Sequence, residues 1–200
     1  MNSKLFLLLF ISLISGFPTA SIAQQDSSLQ IAKQYTKSWF LLGSMGIATM
    51  KYHDGLEQQL DYYRNDVTHY SLDFDLGLYI RLNSSLLVGS VFNFGVDTFQ
   101  NQSRWFRINQ VMMSLSSIWH VNQDFEGFYI RGDLGLTNFL FSEKYDTYDN
   151  THEGVASLFS IGYTFSLYKN ARIAPYGTFQ YSLVDQKSNY KFALGVQVIY

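Results

Sequence analysis

The chain contains no cysteine, so a disulfide framework, a thiolate metal site and a lipid-modified cysteine are all excluded. Charge is scarce: only 15% of residues are Asp, Glu, Lys or Arg, against roughly 25–35% on a well-solvated surface. Proline occurs twice in 200 residues, at Pro18 and Pro175, and neither forms part of a linker. No basic run is present, and net charge is −2, which offers no electrostatic footprint for nucleic acid. Beyond the first two dozen residues no apolar run approaches the roughly 18 residues of a membrane helix. The chain is therefore too poorly charged to clothe a soluble domain comfortably, yet it has no helix able to cross a bilayer.

What it has instead is aromatic content, 18%, and an apolar leader. Lys4 precedes LFLLLFISLISGF, Pro18 interrupts it, and Ser21-Ile22-Ala23 places small residues where a signal peptidase reads. Residues 1–23 are thus predicted to be a signal peptide cleaved after Ala23, and the chain to be exported. Residues 24–38 read as a polar periplasmic lead-in, and residues 39–200 as one domain without a repeat or linker.

Within that domain the pattern has a period of two. In YSLDFDLGLYIRL, Tyr70, Leu72, Phe74, Leu76, Leu78, Ile80 and Leu82 alternate with Ser71, Asp73, Asp75, Gly77, Tyr79 and Arg81. Successive side chains of a strand leave on opposite faces, so this is one strand with one greasy face. The same alternation recurs over Leu86–Thr98, Arg107–Val121, Phe128–Phe141, Val155–Leu167, Arg172–Val184 and Tyr190–Tyr200. In Val155–Leu167, Leu158 falls out of place and Ser157 is grouped with the small polar residues. With Trp39–Met50 as a Gly-rich first strand, the count is eight. Short connections (Asn83-Ser84-Ser85, Asn122–Gly127, Lys169-Asn170) alternate with longer polar ones at 52–66, 99–106 and 142–154, and 185–189 is intermediate. Turns at one end and loops at the other describe an all-β, antiparallel, up-and-down sheet.

Alternation alone fits a soluble barrel with a greasy cavity and a membrane barrel with a greasy exterior. The second set of positions decides between them. It is rich in Gly, Ser, Thr, Asn and Gln, with opposed charges: Asp73, Asp75, Asp97 and Asp133 against Arg81, Arg131 and Lys191. A water-facing set would be rich in Lys and Glu; small residues and paired charges suit the cramped lumen of eight strands. The expectation is an eight-stranded transmembrane β-barrel with these seven residues forming a lumen network of structural role.

The strand pattern and the ending ALGVQVIY resemble the small eight-stranded bacterial outer-membrane barrels of the OmpA/OmpX type, over Trp39 to Tyr200. The ending is similar to the signal read by the barrel-assembly machinery. Gly195, Val198 and Tyr200 match it, whereas Ala193 stands where a polar residue is usual. The resemblance implies a Gram-negative outer membrane, contact with lipid and lipopolysaccharide, both termini in the periplasm and the long loops outside. It implies no single activity.

Three sets of residues could carry chemistry. His69-Tyr70-Ser71 is similar to the His-x-Ser pair of a lipid A deacylase family with this fold, but Leu72 follows it and no glutamate is placed to serve. The loop EKYDTYDNTHEG holds oxygen ligands without calcium-loop spacing. Loops 52–66 and 142–154 carry Tyr62, Tyr63, Tyr145 and Tyr148, a residue type enriched at protein contacts. The expectation is a non-enzymatic surface-displaying scaffold with no cofactor or metal, and a possible partner at those loops. A narrow channel, as in OmpW-type barrels, and a lipid A-modifying enzyme are the alternatives.

Overall fold

The computed structural model describes residues 38–64, 68–100, 105–122, 125–143, 151–168 and 171–200. The chain divides into residues 1–36 and a barrel unit of residues 37–200. The predicted signal peptide, all of the predicted lead-in but Ser38, Lys169-Asn170, Tyr145, Tyr148 and the side chains of Tyr62 and Tyr63 lie outside the described residues. The barrel unit runs β1 (Trp39–Lys51), α1 (Asp54–Arg64), β2 (Thr68–Arg81), β3 (Leu86–Gln100), β4 (Trp105–His120), β5 (Gly127–Glu143), β6 (Thr151–Tyr168), β7 (Ala171–Val184) and β8 (Lys187–Ile199). Each strand pairs antiparallel with the next, and β8 returns to β1 to close the barrel. Closure leaves no sheet edge whose backbone groups would go unpaired in lipid.

The faces follow the period-two pattern. Leu76 is 60% exposed, Leu134 69% and Leu194 67%, whereas Asp73 is 0% and Asp75 6% exposed. The greasy set forms the outer wall, and the small and ionic set fills the axis. Aromatic side chains band that wall: Trp39, Trp119, Phe128, Phe165 and Tyr200 at the turn end, Tyr70 and Tyr190 at the loop end. Such girdles sit at the two membrane interfaces. Strands of 13 to 18 residues exceed the roughly 9–11 needed to span. The surplus lies at the loop end, where outward positions turn polar at Asn109, Asn138 and Glu153. One assignment within β6 is corrected: Ser157 is exposed on the outer wall, and Leu158 is buried in the lumen. Strict alternation requires this, because Ser157 shares the parity of Val155 and Phe159.

Tight curvature of a small barrel demands glycine at particular lumen-facing places. A Cβ at Gly89 would lie 2.1 Å from the Leu78 carbonyl oxygen, and one at Gly135 2.1 Å from that of Met113. By contrast, a Cβ at lipid-facing Gly43 would meet nothing within 4 Å. Gly89→Ala should therefore lower unfolding free energy by about 1–3 kcal/mol, as overpacking against backbone does. Gly43→Ala should stay within about 0.5 kcal/mol of the parent. Urea midpoints of the folded band on unheated gels check both.

Two connections differ from the sequence expectation. The β7–β8 link is a two-residue turn, with Asp185 and Gln186 at φ 49° and 63°, so β8 begins at Lys187. Both residues at positive φ fit the type I′ hairpin turn, whose twist matches the flanking strands. The stretch read as a polar first loop contains α1. His53 precedes it: its carbonyl accepts Leu56 and Glu57 N–H, and its Nδ1 accepts Leu56 N–H at 3.4 Å. Glu57 Oε1 reaches back to accept Tyr52 N–H at 2.6 Å, a reciprocal cap, and Asp54 and Glu57 complement the helix dipole. Leu56 and Leu60, four apart on one face, turn down into the barrel mouth, where Leu60 is buried.

That cap is pH-sensitive. Burial, and then the Lys187 ammonium, hold the His53 imidazole below its ordinary pKa of 6.5; His152 acts in the same direction, and Asp54 and Glu57 oppose. A depressed folded value means the contribution is complete above 6.5 and is lost as pH falls through the lowered value. The physical reason is that a protonated ring cannot accept Leu56 N–H. Amide protection factors at Leu56 and Glu57, corrected for the intrinsic pH dependence of exchange, should fall on acidification from neutrality, and His53→Asn should flatten that dependence.

Candidate functional site: the filled lumen and the loop-end mouth

The lumen is occupied at three levels. At the turn end, Phe40, Leu42, Tyr79, Leu87, Val91, Ile118, Tyr129 and Tyr176 converge with Phe125, which folds in from the β4–β5 turn. The Phe125 ring lies 5.3 Å from Phe40 and 5.3 Å from His120, centroid to centroid. The Arg81 guanidinium sits 4.8 Å over its face, and Arg81 Nε donates to Asn83 O at 3.1 Å. Arg81 thus shares a face with Asp73 and Asp75 but lies at the turn end, apart from the central ion pairs.

At the centre, Arg131 donates from Nη1 to Asp75 Oδ2 at 2.6 Å and from Nη2 to Asp133 Oδ2 at 2.5 Å. Its Nε also donates to Asp133 Oδ1 at 3.0 Å. Asn93 Nδ2 donates to Asp75 Oδ1 at 2.6 Å, Ser116 Oγ to Asp133 Oδ1 at 2.5 Å, and Tyr79 O–H lies 2.7 Å from Ser116 Oγ. Lys191 Nζ donates to Asp73 Oδ1 at 2.5 Å. Gln110 Nε2 donates to Ser182 Oγ at 2.9 Å on the far side. A charge so deeply buried survives only when paired, as these are.

Towards the loop end, buried Asp97 accepts three donors: Tyr52 O–H at 2.9 Å, His69 Nε2 at 2.5 Å and Ser71 O–H. His69 stacks on Phe99 with centroids 4.5 Å apart. The carboxylate therefore stands between histidine and serine. A nucleophile needs the base beside it, with the acid beyond the base, so this order is not that of a hydrolytic triad. Above Asp97 an apolar lid closes the barrel: Leu60 of α1 packs with Met50, Tyr52, Phe99, Ile108, Phe139 and Val184. Among the described residues no group of three or more His, Cys, Asp or Glu is arranged to hold a metal.

Gly195, Val198 and Tyr200 lie on β8 or at its end; Val198 and Tyr200 face outward, and Gly195 sits against Gly46 at the closing seam. Sequence reasoning did not single out Phe125, Asn93, Ser116 or Tyr52. Asn93 and Ser116 stood in lumen-facing register, but Phe125 and Tyr52 lie off the strands, where alternation carries no signal.

No protein-family model and no curated protein sequence matches the chain. Among solved structures, it is similar to Ail, the attachment invasion locus protein of Yersinia pestis, crystallised with the heparin analogue sucrose octasulfate. Identity is 16%, the match covers 82% of this chain and 100% of Ail, and the TM-score is 0.52. Ail without that ligand matches at 14% identity, 82% and 100% coverage and a TM-score of 0.52. The N-terminal barrel domain of Pseudomonas aeruginosa OprF matches at 11% identity, covering 82% of this chain and 98% of that one, with a TM-score of 0.46. A closed barrel of eight antiparallel strands, walled outside by hydrocarbon-compatible side chains, has the fold of the small outer-membrane β-barrels.

Proposed function

We propose that the protein is a non-enzymatic, non-conducting scaffold of the outer membrane that holds its longer loop-end connections at the cell surface, the β7–β8 link being only a tight turn. The supporting observation is the occupied lumen: an apolar plug at each end and an ion-paired layer between them. Asp73, Asp75, Arg131, Asp133 and Lys191 then act as an internal brace, Asp97 anchors the loop-end plug, and Arg81 secures the turn-end one. On this reading the leader is removed after Ala23, and Gly195, Val198 and Tyr200 present the assembly signal. The termini stay periplasmic, and the outer wall meets lipid and lipopolysaccharide. Loops 52–66 and 142–154 supply the contact surface for a partner.

Planar-bilayer recording tests this against the channel alternative. The purified barrel should give no conductance steps at neutral pH, and steady single-channel steps would overturn the scaffold reading. The enzyme alternative is tested by lipid A mass spectra. Overexpression should leave them unchanged, with His69→Ala indistinguishable from the parent.

A further inference from the structure

Arg107 breaks the greasy pattern of the outer wall. On β4 it has the parity of Asn109 and Val111, while Ile108 and Gln110 between them are buried in the lumen. It is the next outward position beyond Asn109, where the wall turns polar at the loop end. One register row of outward positions crosses β2 to β5 there: Tyr70 of the aromatic girdle, Thr98, Arg107 and Ser142. Paired strands lie about 4.8 Å apart, so Thr98 and Ser142 flank Arg107 within the span of one small group.

The cation in that row is held but not neutralised. Arg107 is half-buried, and its guanidinium lies over the Trp105 ring, 5.3 Å from the centroid. A ring face attracts the cation but offers its N–H donors no oxygen acceptor. Arg107 Nε is buried without a hydrogen-bond partner, and so is Thr98 Oγ1 in the neighbouring position of the row. No described carboxylate forms an ion pair with Arg107. Asp97, next to Thr98, faces the lumen, where Tyr52, His69 and Ser71 engage it. Glu153 is exposed on the outer wall, but it stands opposite Asn138, which stands opposite Val111. That places it two strands over and four residues along from Arg107. The offset is roughly 16 Å on the sheet, beyond ion-pair reach.

A permanently charged fork at the polar edge of a lipid-facing wall meets headgroups, and phosphate oxygens suit its paired N–H donors. From the stacked guanidinium and the unmatched polar atoms beside it, we infer that Arg107, with Trp105 and Thr98, binds the anionic phosphate headgroup of a membrane lipid. This rests on the reading that the outer wall meets lipid, and it names the headgroup chemistry and the residue that selects it.

Trp105 reports its own neighbourhood. In the mature chain carrying Trp39→Phe and Trp119→Phe it is the sole tryptophan, and lipids brominated near the headgroup quench it on contact. The barrel is inserted into phosphatidylcholine vesicles holding a minority of brominated phosphatidate, or the same minority of brominated phosphatidylcholine. Phosphatidate should associate at Trp105 at least about threefold more strongly, the margin of one interfacial charge-assisted contact. Arg107→Gln should bring the two lipids to parity. Lys51→Gln, which removes an exposed cation on β1, should leave the preference intact. Inorganic phosphate added to the buffer should also leave it intact, which assigns the site to a lipid and not to a solute. Heat-modifiability on gels verifies each barrel. Equal quenching by the two lipids in the parent, a preference that survives Arg107→Gln, or its loss in Lys51→Gln or in inorganic phosphate would overturn the inference. Absence of quenching by either lipid would refute lipid contact itself, and the inference with it, so the two failures are distinguishable. Both leaflets carry the brominated lipid, so the direction of insertion does not affect the outcome.

Discussion

Arg131→Met is expected to lower unfolding free energy by about 3–5 kcal/mol, because it leaves two buried carboxylates without their cation. Arg131 bridges Asp75 and Asp133 with three of its nitrogens, and all three residues are buried. The methionine fills most of the vacated volume, so the loss reports charge rather than a cavity. The diagnostic comparison is Asp75→Asn and Asp133→Asn added to Arg131→Met. Removing all three charges together should restore most of the stability, since no buried charge then lacks a partner. Urea titration into phospholipid vesicles, read by the heat-modifiable band, measures each step. A single Arg131→Met variant within about 1 kcal/mol of the parent would mean that water reaches this layer and solvates the carboxylates.

Phe125 should show the second largest effect. Its ring is almost fully buried between Phe40, His120 and Arg81, and truncation of a buried phenylalanine to alanine costs about 3–5 kcal/mol. Its backbone is at φ 59°, in the left-handed region that a non-glycine residue adopts only at a cost of about 1–2 kcal/mol. Phe125→Gly loses the same ring but sheds that strain. The glycine variant is therefore expected to be more stable than the alanine variant by about 1 kcal/mol, the reverse of the usual order within regular structure. If alanine proves the more stable, the turn does not hold Phe125 in this conformation. A position that keeps a strained aromatic at the barrel base is consistent with a plug, and its removal loosens only one of three blocks along the axis.

The wall was legible in the sequence, and the axis only partly. Alternation assigns a face, which is why Leu76, Leu134 and Leu194 were readable as outward and Asp73, Asp75, Asp133 and Lys191 as inward. Alternation says nothing of depth. Arg81 has the parity of Asp75 but stands three pairs further along β2, where its neighbour is the Phe125 ring. The helix α1 was hidden because eleven residues are too short to hold a helix alone, and the loop is polar in bulk. Its signal was Leu56 and Leu60 one turn apart with Glu57 behind the cap, and it gains stability only against a mouth that the strands create. Phe125 and the Asp185-Gln186 turn were illegible for a related reason. Each depends on positive φ, which residue identity does not betray when glycine and asparagine are absent.

The direct test of the central claim places nitroxide spin labels singly at Leu76, Leu134 and Leu194 in the vesicle-inserted barrel. Collision with oxygen, which concentrates in hydrocarbon, should exceed collision with a water-soluble nickel chelate at all three positions. Greater access for the nickel chelate at those sites would mean that the greasy wall faces water or an internal cavity, and the transmembrane account would be contradicted.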